Sequence, residues 1–171
     1  SARAGNVIGG GDWSDNRLVP DCIKSIKSNK IIIIRNPDHI RPWQHVLEPL
    51  KGYLLLAKKQ IINPKKFSGD WNFGPETNYK ITVLNVVKLI INFWGKGKFK
   101  IKKKIKFEEH KNLSLNINKA KKILKWKATY SSKGGIHETI RWYFDVIKKE
   151  KSPSKATDVQ IDEYMKKANL K

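Results

Sequence analysis

Short apolar runs alternate with longer segments whose apolar residues recur every three or four positions along this chain of 171 residues. The run "KIIIIRN" predicts a short, buried strand ended by Asn36-Pro37, and "GDWNFGP" predicts a brief strand bracketed by glycines and a proline. The longer segments carry the period of 3.6 residues that marks a helix. The alternation predicts an α/β domain of helices with short strands, and the length fits one domain.

Two helices are predicted on either side of the isoleucine run. Leu18, Cys22 and Ile26 lie at helical spacing and predict a helix over about residues 20–28. A second helix is predicted to start near Pro49, since proline is favoured in a first turn. The apolar face of this second helix is predicted to carry Leu50, Tyr53, Leu54 and Ala57.

Capping residues predict three more helices. Thr82 has a side chain that can cap the next apolar stripe, and Gly95 stands where that helix should end. Asn118 is expected to cap a short helix further on. Thr157 and Gln160 have the spacing of a capping box, so they are expected to begin the last helix.

Basic side chains outnumber acidic ones by 36 to 15, which gives a formal net charge of +21. Such charge is typical of nucleic-acid binding, because Lys and Arg release counterions from a phosphate backbone. However, 31 of the basic residues are Lys and only five are Arg, which favours a coding bias toward Lys with solvated side chains over nucleic-acid recognition. Residues 96–106 alternate apolar side chains with lysines, which predicts a half-buried strand, with a basic nucleic-acid ribbon as the alternative.

The single cysteine, Cys22, excludes a disulfide or a thiolate metal site within one chain and makes a reducing cytoplasm the expected location. The four histidines are too dispersed for metal-ligand spacing, so we expect no metal. No apolar run approaches the roughly 20 residues that cross a bilayer, and we expect no membrane association. Because the chain opens on strand-like residues without a preceding cap or turn, we expect it to be a piece of a longer protein.

The opening "ARAGNVIGGGDW" is rich in glycine and ends in an acid. Its glycines, Gly5, Gly9, Gly10 and Gly11, do not have the G-x-G-x-x-G spacing of a dinucleotide loop, and no G-K-[ST] ending follows them. Two interpretations remain. The stretch is a ligand-binding turn, or it is the end of a buried parallel strand whose glycines only form a turn.

Four places concentrate polar side chains that invite a binding interpretation. Asn6 stands at the end of a strand, where α/β sheets bind ligands. Arg35 and Arg41 lie in "RNPDHIRPWQHV", and two forked guanidiniums suit a diphosphate. Asn72 follows Trp71, and His110 ends "FEEH".

Each of these residues also has a purely structural interpretation. Arg41 could pair with Asp38 or Glu48, the histidines could be polar fillers, and Trp43 and Trp71 are typical of a core. A catalytic residue cannot be singled out, because no nucleophilic triad is recognisable and no Tyr is followed four residues later by Lys.

Several stretches taken together resemble the C-terminal part of the CDP-glucose 4,6-dehydratase family. They are "ARAGNVIGGGDW", "RLVPDCI", "IIIIRNPDHIRPWQHVLEPLKGYLLLA", "WNFGP", "EEHKNLSLNINKAKKILKW" and "ETIRWY". The run "RNPDHIRPWQHVLEPL" is the most specific, whereas "WNFGP" is shared by many nucleotide-sugar enzymes. GDP-mannose dehydratases are similar too, through a related Arg-x-Trp pattern.

The resemblance implies an extended short-chain dehydrogenase fold of the Rossmann type. Residues 1–151 would form the end of the Rossmann sheet and the nucleotide-sugar lobe, and residues 152–171 a C-terminal helix. The NAD-binding half, with the catalytic Tyr and Lys of the family, would precede this chain and is not in its sequence. The whole enzyme would form a homodimer.

The resemblance also assigns site residues. Gly5 would lie near the nicotinamide of NAD, and Asn6 and Arg41 would meet the substrate diphosphate. Asn72 would approach the ribose, His110 would stand near the phosphates, and Arg35 would lie toward the nucleotide. The nucleotide pocket would be lined by Leu18, Val19 and Pro20.

The family's chemistry is an internal redox cycle. NAD takes hydride from C4 of the glucose of CDP-glucose, water leaves across C5 and C6, and hydride returns to C6, giving CDP-4-keto-6-deoxyglucose for surface polysaccharides. A related dehydratase or epimerase is the first alternative, and a basic nucleic-acid-binding module is the alternative of another class. A third possibility is a piece that folds poorly, because a strand over residues 2–8 would lack parallel neighbours.

Overall fold

The computed structural model describes residues 1–76, 80–102 and 112–170. The strands are β1 (Ala2–Ala4), β2 (Asn6–Ile8), β3 (Ile32–Ile34), β4 (Trp43–His45), β5 (Trp71–Phe73) and β6 (Phe99–Ile101). The helices are α1 (Leu18–Lys27), α2 (Leu47–Ile62), α3 (Pro64–Phe67), α4 (Val83–Trp94), α5 (Asn118–Lys122), α6 (Ser132–Lys148) and α7 (Pro153–Lys167). The predicted α/β class, with helices connecting short strands, is confirmed.

The six strands pair in parallel, two by two. Strand β1 lies beside β5, β2 beside β4, and β3 beside β6. Each partner comes later in the chain after at least one helix, which is the connection that parallel strands need.

The opening strand is divided at Gly5 because its two halves have different partners. The amide of Gly5 donates to the carbonyl of Phe73 at 3.2 Å, and the amide of Asn6 donates to the carbonyl of Pro42 at 3.0 Å. The expectation that residues 2–8 lack parallel neighbours is therefore wrong, since β5 and β4 supply them.

The helix-capping predictions are correct only for α4. Thr82 forms a capping box with Asn85, and Gly95 ends the helix in the left-handed conformation at φ +74°. Helix α1 starts at Leu18, two residues before the predicted start. Asn118 is the first residue of α5 rather than its cap, and its amide donates to the side chain of Asn116 at 3.0 Å.

The capping box predicted for the last helix is wrong, because α7 starts at Pro153 and encloses both of its residues. The hydroxyl of Thr157 accepts from the indole N–H of Trp142 at 2.9 Å. Gln160 donates to the carbonyl of Glu138 at 2.7 Å. The polar pattern of α7 therefore serves contacts with α6.

Two apolar clusters form the core. The larger one joins α1, β3, α4 and α6 through buried side chains such as Ile23, Ile34, Ile90 and Ile140. The smaller one joins β5, α2 and α5 around Trp71 and Trp126. Trp43 and Trp71 are buried, as expected for core tryptophans.

Two apolar faces lie differently from the prediction. On α2, Leu50, Leu54 and Ala57 are exposed, and Leu54 retains 73% of its accessible surface. Tyr53, by contrast, packs edge-on against Phe73. All three residues of β6 are exposed, so a half-buried strand is wrong there, and residues 103–106 of the Lys-rich stretch lie outside the described residues.

Candidate functional site

A cavity of about 280 Å³ lies between the first turn of α1, the end of β3, strand β2 and the loop before β4. We call it the arginine cavity. Strand β2 supplies Asn6, and the loop that follows β3 supplies Arg35 and Arg41. The sequence-predicted residues that line it are Asn6, Leu18, Val19, Pro20, Arg35 and Arg41.

The basic side chains that line this cavity are arginines and not lysines. Arg17, Arg35 and Arg41 line it, which is three of the five arginines in the chain, whereas none of the described lysines does. In a chain with 31 lysines, a lining drawn at random from the basic residues would hold mostly Lys. Guanidiniums hold a permanent charge on a planar fork of donors, so this lining suits a phosphate or diphosphate.

Arg41 is held in place by its chain neighbours. Its Nη1 donates to the carbonyl of Ile40 at 2.9 Å, and its Nη2 lies 2.9 Å from Nδ1 of His39. A guanidinium can only donate, so Nδ1 of His39 is the acceptor of this hydrogen bond. The backbone of Ile40 bridges to Thr82 and to Asn112, which fixes the root of the Arg41 side chain.

Glu48 does not pair with Arg41, although the sequence left that possibility open. Its carboxylate is buried and accepts the amide of Thr129 at 3.0 Å and the amide of Tyr130 at 2.7 Å. Glu48 therefore ties the first turn of α2 to the start of α6.

Sequence reasoning missed Arg17, Asp12 and Asp21, which line the same cavity. Arg17 directly precedes Leu18, so its position beside a predicted pocket residue was the available signal. Arg35 is oriented by Asn16, whose side-chain oxygen accepts from Nη2 at 3.2 Å.

The glycines of the opening loop serve close packing. A Cβ on Gly5 would lie 2.6 Å from the carbonyl oxygen of Pro42, and one on Gly10 would lie 2.1 Å from the ring of Trp142. Both distances are too short for any side chain. This packing supports the interpretation in which the glycines of the opening stretch only form a turn. Asp12 closes it by accepting the amide of Ser14 at 2.9 Å, and this hydrogen bond lowers the pKa of its carboxyl.

Gly5 lines a second cavity of about 420 Å³ instead of the arginine cavity. Asn6, Asp12 and Arg17 line both, so the two cavities share a wall. The close approach of Pro42 requires a glycine at position 5. The proximity of Gly5 to NAD remains a prediction.

Among the described residues, the predicted site residue Asn72 does not line the arginine cavity. Asn72 lies in β5 opposite Arg3, and its amide donates to the carbonyl of Asn116 at 3.2 Å. Its binding role therefore remains a prediction without support from the cavity lining. His110 lies outside the described residues.

His45 is a buried filler. It is 2% exposed, its Nδ1 accepts the amide of Leu47 at 3.4 Å, and burial lowers its pKa to about 4. Within residues 1–76, 80–102 and 112–170, no cluster of His, Cys, Asp or Glu has the arrangement of a metal site.

The fold matches part of the fold of nucleotide-sugar dehydratases and epimerases. The structure of a dTDP-glucose 4,6-dehydratase from Bacillus anthracis, in complex with NAD, matches 86% of this chain with a TM-score of 0.69 and 21% identity. A UDP-glucuronic acid 4-epimerase from Bacillus cereus, in complex with UDP-glucuronic acid and NAD, matches 85% with a TM-score of 0.69 and 18% identity.

In sequence the chain is a homologue of CDP-glucose 4,6-dehydratase. It is 40% identical over 147 residues to the enzyme of that name from Salmonella typhimurium, and the match covers 84% of this chain. The suspected resemblance is confirmed. No protein-family model matches the chain.

The chain spans 40% of the length of its Salmonella relative, and 44% and 45% of the two solved structures. None of the helices in the described ranges is long and apolar enough to cross a membrane.

Proposed function

We propose that this chain is the nucleotide-sugar-binding portion of a CDP-glucose 4,6-dehydratase, a lyase. The whole enzyme would convert CDP-glucose to CDP-4-keto-6-deoxyglucose with loss of water, for deoxysugar and surface polysaccharide synthesis. The 40% identity to the Salmonella enzyme supports CDP-glucose as the proposed substrate. We expect no dehydratase activity from these 171 residues alone, because no catalytic residue can be assigned in them.

The observation that carries the proposal is the choice of Arg over Lys around one cavity. Arg41, Arg35 and Arg17 reach it from two loops, and Asn6 adds an amide from the first position of β2. The diphosphate would be held by Arg41 and Asn6, with Arg35 and Arg17 adding charge. Leu18, Val19 and Pro20 would form the apolar wall for the base, as helix α1 begins there.

Binding energy gathered at the diphosphate would orient the glucose for reaction. The proposal keeps two further assignments from the resemblance: Asn72 toward the ribose and His110 near the phosphates. It rests on the arginine cavity, however, and would survive the loss of either assignment.

NAD is the cofactor of the proposed whole enzyme, and both solved relatives described above contain it. It supplies the hydride acceptor and donor. We do not assign the opening loop as a phosphate-binding loop for NAD, since Gly5 packs against Pro42 and Gly10 against Trp142. The only contact with NAD that we propose for this chain is made by Gly5, which lines the second cavity.

The test is calorimetric titration of the 171-residue chain with CDP-glucose, comparing the native chain with Arg41→Lys. Lysine keeps the charge but loses the fork, so we expect the Kd to rise at least about tenfold. Arg3→Lys is the matched control, because Arg3 forms an exposed ion pair with Asp70 at 3.2 Å and lies outside the cavity. The Kd of Arg3→Lys for CDP-glucose should equal that of the native chain.

Equal CDP-glucose affinity in the native chain and Arg41→Lys would refute the clamp. Binding of duplex DNA with a steep salt dependence, and no binding of CDP-glucose, would favour the nucleic-acid alternative instead. Tighter binding of GDP-mannose than of CDP-glucose would favour the related dehydratase.

We further propose a cytoplasmic, homodimeric whole enzyme.

A further inference from the structure

Asp21 is a carboxylate in the arginine cavity whose role the diphosphate does not explain. It lies in the first turn of α1, directly after the apolar wall of Leu18, Val19 and Pro20, and it is half-buried. Its backbone amide donates to the carbonyl of Arg17 at 2.9 Å. Within the described part of the chain, its carboxylate forms no hydrogen bond and no ion pair.

The second carboxylate of the cavity differs in this respect. Asp12 already accepts the amide of Ser14, and it belongs to the wall shared with the second cavity. Asp21 does not line the second cavity, and its oxygens accept from no described group, so it is the carboxylate of the arginine cavity with its full acceptor capacity available to a ligand.

A carboxylate repels a diphosphate, so Asp21 would weaken binding if it faced the phosphates. The same group favours a ligand that presents N–H donors, and in a nucleoside diphosphate such donors lie on the base. Among pyrimidines, cytosine presents an amino group at C4, whereas uracil and thymine present a carbonyl oxygen there. A carboxylate accepts from that amino group and is repelled by that oxygen.

We propose that Asp21 is the residue that selects cytosine over uracil and thymine in the arginine cavity. This inference rests on the proposed function, because it assigns the base end of the same nucleotide site. The bond in question runs from the N4 amino group of cytosine to a carboxylate oxygen of Asp21, and it makes Asp21 a specificity-determining residue. A site that must hydrogen-bond one substrate group discriminates strongly against an analogue that lacks it.

Asp21 also has a structural role open to it, since an acid in a first turn complements the helix dipole. The experiment therefore measures a ratio of affinities, which a change in helix stability alone would not move. CDP and UDP are titrated separately into the native chain and into Asp21→Asn. In the native chain we expect CDP to bind at least about tenfold more tightly than UDP.

In Asp21→Asn the preference for CDP should fall at least about tenfold, because the new amide can donate to O4 of uracil. UDP should bind this variant at least as tightly as it binds the native chain. Asp15→Asn is the matched control, since Asp15 is an exposed acid paired with Lys24 and lies outside the cavity. The CDP preference of Asp15→Asn should equal that of the native chain. Should Asp21→Asn fold poorly, Asp21→Ser replaces it with the same expected loss of preference.

An unchanged CDP-to-UDP ratio in a folded Asp21 variant, with CDP still bound, would overturn this inference and leave the proposed function standing. Failure of the native chain to bind either nucleotide would overturn both. A native chain that binds CDP and UDP equally would also overturn the role of Asp21, while the Arg41 comparison would still report on the diphosphate clamp.

Discussion

At the scale of single residues, the glycines of the opening loop show how packing can imitate a ligand motif. Gly10 lies against the indole of Trp142, and Gly5 lies against the carbonyl of Pro42. Sequence alone could exclude the dinucleotide spacing, but it could not name these neighbours, because both come from distant parts of the chain. The glycines are required where two segments approach more closely than a Cβ allows.

Replacing Gly10 with Ala should therefore destabilise the fold. The new Cβ would lie 2.1 Å from the Trp142 ring, and relieving this overlap should cost about 1–3 kcal/mol of unfolding free energy. Urea unfolding followed by tryptophan fluorescence measures the change. Gly134→Ala is the control, because its Cβ would meet nothing closer than 3.4 Å and it lies inside α6. The control should be neutral or stabilising by up to about 1 kcal/mol. Equal stability of Gly10→Ala and the native chain would contradict the packing role.

At the scale of elements, the predictions succeeded where local chemistry decides the structure. Thr82 and Gly95 bound α4 because a side-chain oxygen and a left-handed turn satisfy backbone groups that lie within a few residues. They failed where distant neighbours decide. Thr157 and Gln160 have the spacing of a cap, yet contacts with α6 place them inside α7. Residue period alone also could not tell which face of α2 would be covered.

The capping box of α4 yields a test at this scale. Thr82 accepts the amide of Asn85 at 3.1 Å, and the Asn85 side chain accepts the amide of Thr82 at 3.2 Å. Thr82→Ala should lower the unfolding free energy by about 1 kcal/mol, and Asn85→Ala should lower it by a smaller amount. Because the two bonds are reciprocal, the double variant should lose less than the sum of the single ones. Strict additivity in urea unfolding would argue against a coupled box.

At the scale of the whole molecule, the sequence located most of the arginine cavity through the family resemblance. Asn6 lies far along the chain from Arg35 and Arg41, and their spacing alone does not require them to meet. Arg17 and Asp21 were missed, although they flank predicted residues, because the sequence does not reveal which side of the first turn of α1 faces the cavity. Asn72 was assigned through the resemblance. It lies in the middle of β5 with its amide bonded to the carbonyl of Asn116, so its binding role remains a prediction.

The stability of the whole fold should also depend on pH through His45. Burial lowers the pKa of this imidazole from 6.5 to about 4, so the unfolded chain binds a proton that the folded chain rejects between these pH values. The contribution is fully present above pH 6.5 and is lost progressively as the pH falls toward 4, by on the order of 2–3 kcal/mol.

Carboxylates with a lowered pKa, such as that of Glu163, stabilise the fold in their ionised form. This contribution is lost only at lower pH, near and below the ordinary carboxyl pKa of about 4. The window from pH 7 to 5 therefore isolates the imidazole. His45→Asn keeps an acceptor for the amide of Leu47 and cannot be protonated, so its urea-unfolding free energy should vary less over this window. His137→Gln, which replaces an exposed histidine, should keep the native slope. A native chain equally stable at pH 7 and pH 5 would show that the buried imidazole does not couple folding to proton binding.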